Sequence, residues 1–149
     1  MELHDRVKEF VQRTLTAMGL QLEVSVSDSS DSVRIDLTGE KGDVLLRRRA
    51  EPLDALQHIV NTAFRRELKD DRTLVVDCLG YRKAKDAELR QMARFIMDRA
   101  RSSGVPQEMG PLNPYARRLV HLTVAEDPLM SSESIGDAFL KTVIISVRK

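Results

Sequence analysis

Arg117 and His121 stand one helical turn apart in the stretch Asn113-Pro114-Tyr115-Ala116-Arg117-Arg118-Leu119-Val120-His121. A guanidinium presents a planar fork of donors that suits phosphate, and an imidazole can donate, accept or stack. Asn113 is a favoured N-cap, and Pro114 suits the first helical position, where a missing N–H costs nothing. A helix is therefore predicted from here to about Ala125. Each residue turns a helix by about 100°, so His121 lies about 40° from Arg117, with Tyr115, Leu119 and Leu122 on another side. The apolar trio is expected to face the core. Arg117 and His121 then point together at solvent, ready for phosphate and base contacts. A merely solvated helix face has the same spacing. With 17 Arg and three His in the chain, chance supplies such a pair about a third of the time.

The net charge is +1, but it is unevenly spread. Residues 1–80 carry 12 Lys and Arg against 15 Asp and Glu, a net −3. Residues 81–149 carry 12 against 8, a net +4. If one half meets phosphate, the C-terminal half is the better candidate. Lys83, Arg90, Arg94 and Arg101 fall within about 40° of one another on a helix predicted from Tyr81 to about Ser103. Arg47-Arg48-Arg49 precedes another helix. Each basic group is a candidate phosphate contact, and each is equally served by water.

Positioning these residues is the task of a chain that fits one ordinary domain or two small ones. Apolar residues make up 42%, with six aromatics and no Trp, so the core must be Leu, Val, Ile and Met. Leu3, Val7, Phe10, Val11, Thr14, Leu15 and Met18 predict a helix over 3–19, ended by Gly19. Residues 20–26 and 33–37 alternate apolar with polar around the turn Ser27-Asp28-Ser29-Ser30-Asp31, a hairpin. Asp43-Val44-Leu45-Leu46 is a short apolar turn. A second helix starts near Pro52, with Leu53, Leu56, Ile59, Val60 and Phe64 on its buried face, and fades over Arg65 to Asp71. Residues 73–79 form a third strand, and Gly80 is the expected boundary. On the long helix that follows, Leu89, Met92, Ala93, Ile96 and Ala100 share a face. Val105 to Met109 reads as a short strand before Gly110-Pro111. Asp127-Pro128 stops the Arg117 helix, Ser131-Ser132-Glu133-Ser134 with Gly136 reads as a loop, and Lys141 to Val147 as a closing strand.

The order helix, strand, strand, short helix, helix, strand over residues 1–80 is that of a type II KH domain. Val44-Leu45-Leu46, a four-residue loop and Leu53-Asp54-Ala55-Leu56-Gln57 resemble the KH segment of the bacterial Jag (SpoIIIJ-associated) proteins. Asn-Pro-Tyr, Arg-Arg, an apolar pair and His resemble the second helix of the R-x-x-x-H (arginine-three-histidine) domain, which follows the KH domain in that family. The serine- and glycine-containing loop before a basic final strand is similar too. The resemblance covers residues 20–149 or more, without the separate N-terminal domain that many Jag proteins carry. It implies an α+β chain: a type II KH domain (αββααβ) over 1–80, then an R-x-x-x-H domain over 81–149 with helices packed on a short β-sheet.

The resemblance further implies a non-catalytic protein that binds single-stranded RNA, or single-stranded DNA. Its expected role is a post-transcriptional regulator or RNA chaperone linked to cell envelope or division control. A small KH protein is the expected partner. Arg117, Arg118, His121 and Asn113 would form the principal site, with Arg90, Arg94 and Arg47, Arg48, Arg49 as further contacts. The departure from the family is the KH loop, where Gly-x-x-Gly is replaced by Arg47-Arg48-Arg49-Ala50. Glycine lets a backbone approach phosphate and reach dihedrals that other residues avoid. Close clamping is therefore not expected here. Either long arginine side chains reach the phosphates, or the KH half has become an interaction module in a protein scaffold.

Catalysis has little support. His4, His58 and His121 have no neighbouring ligand set with metal spacing, the glycines are scattered singly, and no nucleophile elbow is visible. No metal, cofactor or enzymatic activity is expected. The single Cys78 rules out an intramolecular disulfide, and within Leu74 to Leu79 it reads as a packed small hydrophobe. No apolar run approaches membrane-spanning length, and Met1 leads straight into a charged amphipathic segment. The expectation is no membrane insertion, no secretory signal and a cytoplasmic location.

Overall fold

The computed structural model describes residues 2–29, 32–69 and 72–149. The chain divides into two compact units, Met1–Lys83 and Ala84–Lys149, slightly past the boundary expected at Gly80.

In the first unit, α1 (Leu3–Ala17) buries Val7, Val11 and Leu15. Gly19 ends it as expected, at φ +78°. Its N–H donates to Thr16 O and that of Leu20 to Leu15 O, the paired bonds of a Schellman close. Strands β1 (Glu23–Asp28) and β2 (Ser32–Thr38) form the expected antiparallel hairpin, with Val26 opposite Ile35. Ser30 and Asp31 of the predicted turn lie outside the described residues. Arg72 Nη2 ties the two sides of that turn, donating to Asp28 Oδ1 at 2.9 Å and to Ser32 O at 3.0 Å.

Strand β3 (Thr73–Cys78) pairs parallel to β2, giving the order β1-β2-β3. A parallel pair needs a crossover. The 3-10 turn Gly42–Leu46 and α2 (Arg47–Phe64) supply it. Leu53, Leu56, Val60 and Phe64 are buried on α2, and Phe10 meets Phe64 edge to face at 5.6 Å. Ile59, expected on that face, is 48% exposed. It sits about 100° round the helix from the Leu53–Val60 stripe. A 3-10 turn, Arg65–Glu67, follows α2; Asp70 and Asp71, where the helix is expected to fade, lie outside the described residues.

The start of α2 is not right-handed. Arg48 (φ 52°, ψ 51°), Arg49 (φ 58°, ψ 40°) and Ala50 (φ 64°, ψ 28°) occupy the left-handed region. The loop thus adopts dihedrals that the sequence reading reserved for glycine. Each such residue costs roughly 1–2 kcal/mol. Buried Ala50 and Leu45, on either side of the arginines, anchor the turn from below.

The outer edge of β3 is closed by side chains. Asn61 both donates to Leu74 O (2.7 Å) and accepts from Leu74 N–H (2.8 Å). Gln57 Oε1 accepts from Val76 N–H at 2.9 Å, and Arg82 Nε donates to Val76 O at 2.7 Å. Asp77 is fully buried. Its Oδ1 accepts from Cys78 and Arg82 N–H, both at 2.8 Å, and its Oδ2 from Lys83 N–H at 3.3 Å and Arg34 Nη2 at 3.2 Å. The carboxylate therefore satisfies orphan donors at the start of α3 (Tyr81–Ser103) from within a neighbouring strand. Cys78 is buried as expected, and burial pushes its thiol up to about 11.

In the second unit, β4 (Gln107–Leu112), β5 (Met130–Ile135) and β6 (Lys141–Val147) make an antiparallel sheet ordered β4-β6-β5. β4 runs past the predicted Val105–Met109 stretch, with a bulge between Met109 and Leu112. Central β6 buries Val143 and Ile145 against Ala93, Met97 and Ala100 of α3 and Val120 and Val124 of α4 (Pro114–Ala125). Met97 takes the core place expected of Met92, which is 52% exposed. The serine run read as a loop is instead strand β5. Pairing along β6, Ser132 opposite Ile145 and Ser134 opposite Val143, overrides the weak strand preference of serine.

Candidate nucleic-acid interface

The helix that carries Arg117 and His121 starts as its sequence requires. Asn113 Oδ1 accepts from Ala116 N–H at 2.8 Å, and Pro114 opens the first turn. Asn113 is thus engaged as the cap.

The core face differs from the expected one. Leu119, Val120, Thr123 and Val124 are buried, whereas Tyr115 is 63% and Leu122 56% exposed. The buried stripe is rotated by roughly 100° from the predicted trio. Arg117 and His121 consequently lie at its border, part-buried against the sheet, and not opposite it in open solvent.

Both ring nitrogens of His121 are engaged. Nδ1 lies 2.6 Å from Ser132 Oγ, and Nε2 lies 2.7 Å from Ser134 Oγ. Residues two apart on a strand share a face, so β5 presents both hydroxyls together. Burial, and then the charge of Arg117, hold the imidazole below the usual histidine range. A neutral ring donates from one nitrogen and accepts at the other, and serine hydroxyls can fill both complementary roles. Arg117 Nη1 donates to Leu112 O at 3.3 Å and to Phe139 O at 3.1 Å. It thereby clips the end of β4 to the loop between β5 and β6. Together the pair fasten a hairpin to α4, leaving the remaining guanidinium nitrogens of Arg117 for an outside acceptor.

The other expected contacts divide. Arg118 and Arg90 lack a carboxylate at ion-pair distance among the described residues. Arg94 is exposed but lies 3.5 Å from Glu126, and Arg101 reaches Asp98 and Asp127, each at 3.4 Å. The basic stripe is therefore partly neutralised. Arg47, Arg48 and Arg49 stand at the left-handed turn of the first unit and form a separate group. Ser132, Ser134 and Phe139 were not foreseen as part of the site. The Ser-x-Ser alternation before a β-rich strand is the signal that could have found the two hydroxyls. Among the described residues no set of three or more His, Cys, Asp or Glu could hold a metal ion, and no helix is long and apolar enough to cross a membrane.

Residues 87–146 match the family model of the R-x-x-x-H (arginine-three-histidine) domain. The chain is also similar to the RNA-binding protein KhpB of Clostridium symbiosum, 26% identical over 149 residues, covering 99% of this chain and 67% of that protein. It is similar to the RNA-binding protein KhpB of Bacillus subtilis (strain 168), 24% identical over 146 residues, covering 97% and 70%. These likenesses support a KhpB-like (Jag) family.

Proposed function

We propose that this chain is a single-stranded RNA-binding protein without catalytic activity, and that the second unit carries most of its affinity. The observation behind this reading is the fastening of the β5–β6 hairpin to α4 by Arg117 and His121, inside the segment that matches the R-x-x-x-H domain. Such fastening orders a surface beside unpaired guanidinium groups, which single-stranded nucleic acid can use for phosphate contact. The names of the KhpB relatives point to RNA. The first unit is read as a degenerate type II KH domain: its element order and its loop position agree, while its glycines are replaced. Its three arginines hold a strand electrostatically and read bases poorly. A regulatory or RNA-chaperone role in the cytoplasm, linked to envelope or division control, follows from the Jag resemblance, as does a small KH partner.

The test is a titration of the full chain with single-stranded RNA at two salt concentrations. Affinity should fall with salt as counterions are released. Arg90→Gln with Arg118→Gln should flatten the plot of log K against log salt by about 1 to 2 units, whereas Arg94→Gln, already paired, should change it less. Binding that is absent, or indifferent to salt, would favour a protein scaffold instead.

A further inference from the structure

Phe139 stands in the stretch between β5 and β6 and is 72% exposed. Folding gains little from a phenylalanine ring left in water. Its backbone, by contrast, is held, because Arg117 Nη1 donates to the Phe139 carbonyl at 3.1 Å. Other rings of this unit have partners. Arg99 lies over Phe95 at 6.0 Å from its centroid, and the Tyr115 hydroxyl donates to Asp86 Oδ2 at 2.7 Å. The Phe139 ring has no such contact among the described residues. His121, the ring expected to meet a base, is tethered to β5 through both nitrogens.

We propose that Phe139 is the base-stacking residue of the interface, taking one unpaired base of a single-stranded RNA on its face. This rests on the RNA-binding reading above. A fixed backbone, a solvent-facing ring and an adjacent guanidinium are what a single-strand site requires: cation for phosphate, aromatic face for base. Ile135 and Leu140 are exposed nearby in sequence, and a protein partner would bury all three apolar side chains. The cation at the Phe139 carbonyl and the net +4 of residues 81–149 favour RNA.

The chain has no tryptophan, so Phe139→Trp installs a single indole reporter. The full chain is titrated with a mixed-sequence single-stranded RNA of about 12 nucleotides and with an abasic ribose-phosphate oligomer of the same length. Stacking predicts quenched indole emission and retained affinity for Phe139→Trp. Phe139→Leu keeps apolar area but loses the ring, and should weaken RNA binding about 5- to 150-fold with an unchanged salt slope. That loss should vanish on the abasic oligomer. The inference is overturned if the parent binds with salt dependence while the indole stays unquenched or Phe139→Leu binds within about twofold of the parent. A parent chain that does not bind this RNA overturns the RNA-binding reading, and the stacking role with it.

Discussion

His121 Nδ1 lies 2.6 Å from Ser132 Oγ, and the opposite ring nitrogen is 2.7 Å from Ser134 Oγ. An imidazole gripped at both edges holds its strand as firmly as the strand holds it. Ser132→Ala with Ser134→Ala removes both partners and leaves two part-buried ring nitrogens unpaired. The double variant should lose about 1–3 kcal/mol of stability. Urea midpoints at constant m check this, and an unchanged midpoint would show that the two bonds hold nothing.

The same site makes stability depend on pH. Burial and the Arg117 charge lower the His121 pKa in the folded chain, so the unfolded chain takes up its proton first. The contribution is present above the ordinary histidine value near 6.5 and is lost as pH falls through the lowered folded value. A urea midpoint that declines below about pH 6.5 in the parent should decline less in His121→Gln. Parallel profiles would assign the decline to other groups.

At Arg48, φ is 52° and the side chain is exposed. Arg48→Gly removes a left-handed penalty of roughly 1–2 kcal/mol and adds about 0.5–1 kcal/mol of chain entropy to the unfolded state. Strain relief wins, and the variant should be more stable by about 0.5–1 kcal/mol. Destabilisation would mean that the loop leaves the left-handed turn in solution.

Asp77→Ala strips four donors of one buried acceptor group, among them the Arg34 guanidinium and the first N–H groups of α3. A lost cap and a lost charge-assisted bond together should cost about 2–4 kcal/mol. Asp77→Asn keeps one acceptor oxygen and should cost less. The order parent, Asn, Ala in urea midpoint is the expected result; equal midpoints for all three would deny the carboxylate this role.

Local chemistry was the part of the fold that could be read from the chain. Asn113 caps α4 through the bond its side chain predicts, and Gly19 ends α1 in the conformation that glycine allows. What failed depended on partners far along the chain. Tyr115 and Leu122 are as apolar as any core residue, but the sheet covers the side of α4 that carries Thr123 and Val124. Spacing could not say which side that would be. Ser132 and Ser134 looked like a loop because serine prefers turns, and only the pairing with β6 makes them a strand. Arg117 and His121 were legible as a pair, whereas their bonds to Ser132, Ser134 and Phe139 arise from tertiary closure.

The side chains that occupy the rim of β3 also decide how the first sheet can be lengthened. Leu74 and Val76 spend their outward N–H and C=O groups on Asn61, Gln57 and Arg82, so an incoming strand finds nothing to bond there. β1, at the other margin, carries no comparable caps among the described residues. Any strand annealing to this sheet therefore has one flank to choose, and two copies that meet there exhaust it. Association through the sheet stops at a closed pair and cannot run on into a fibre.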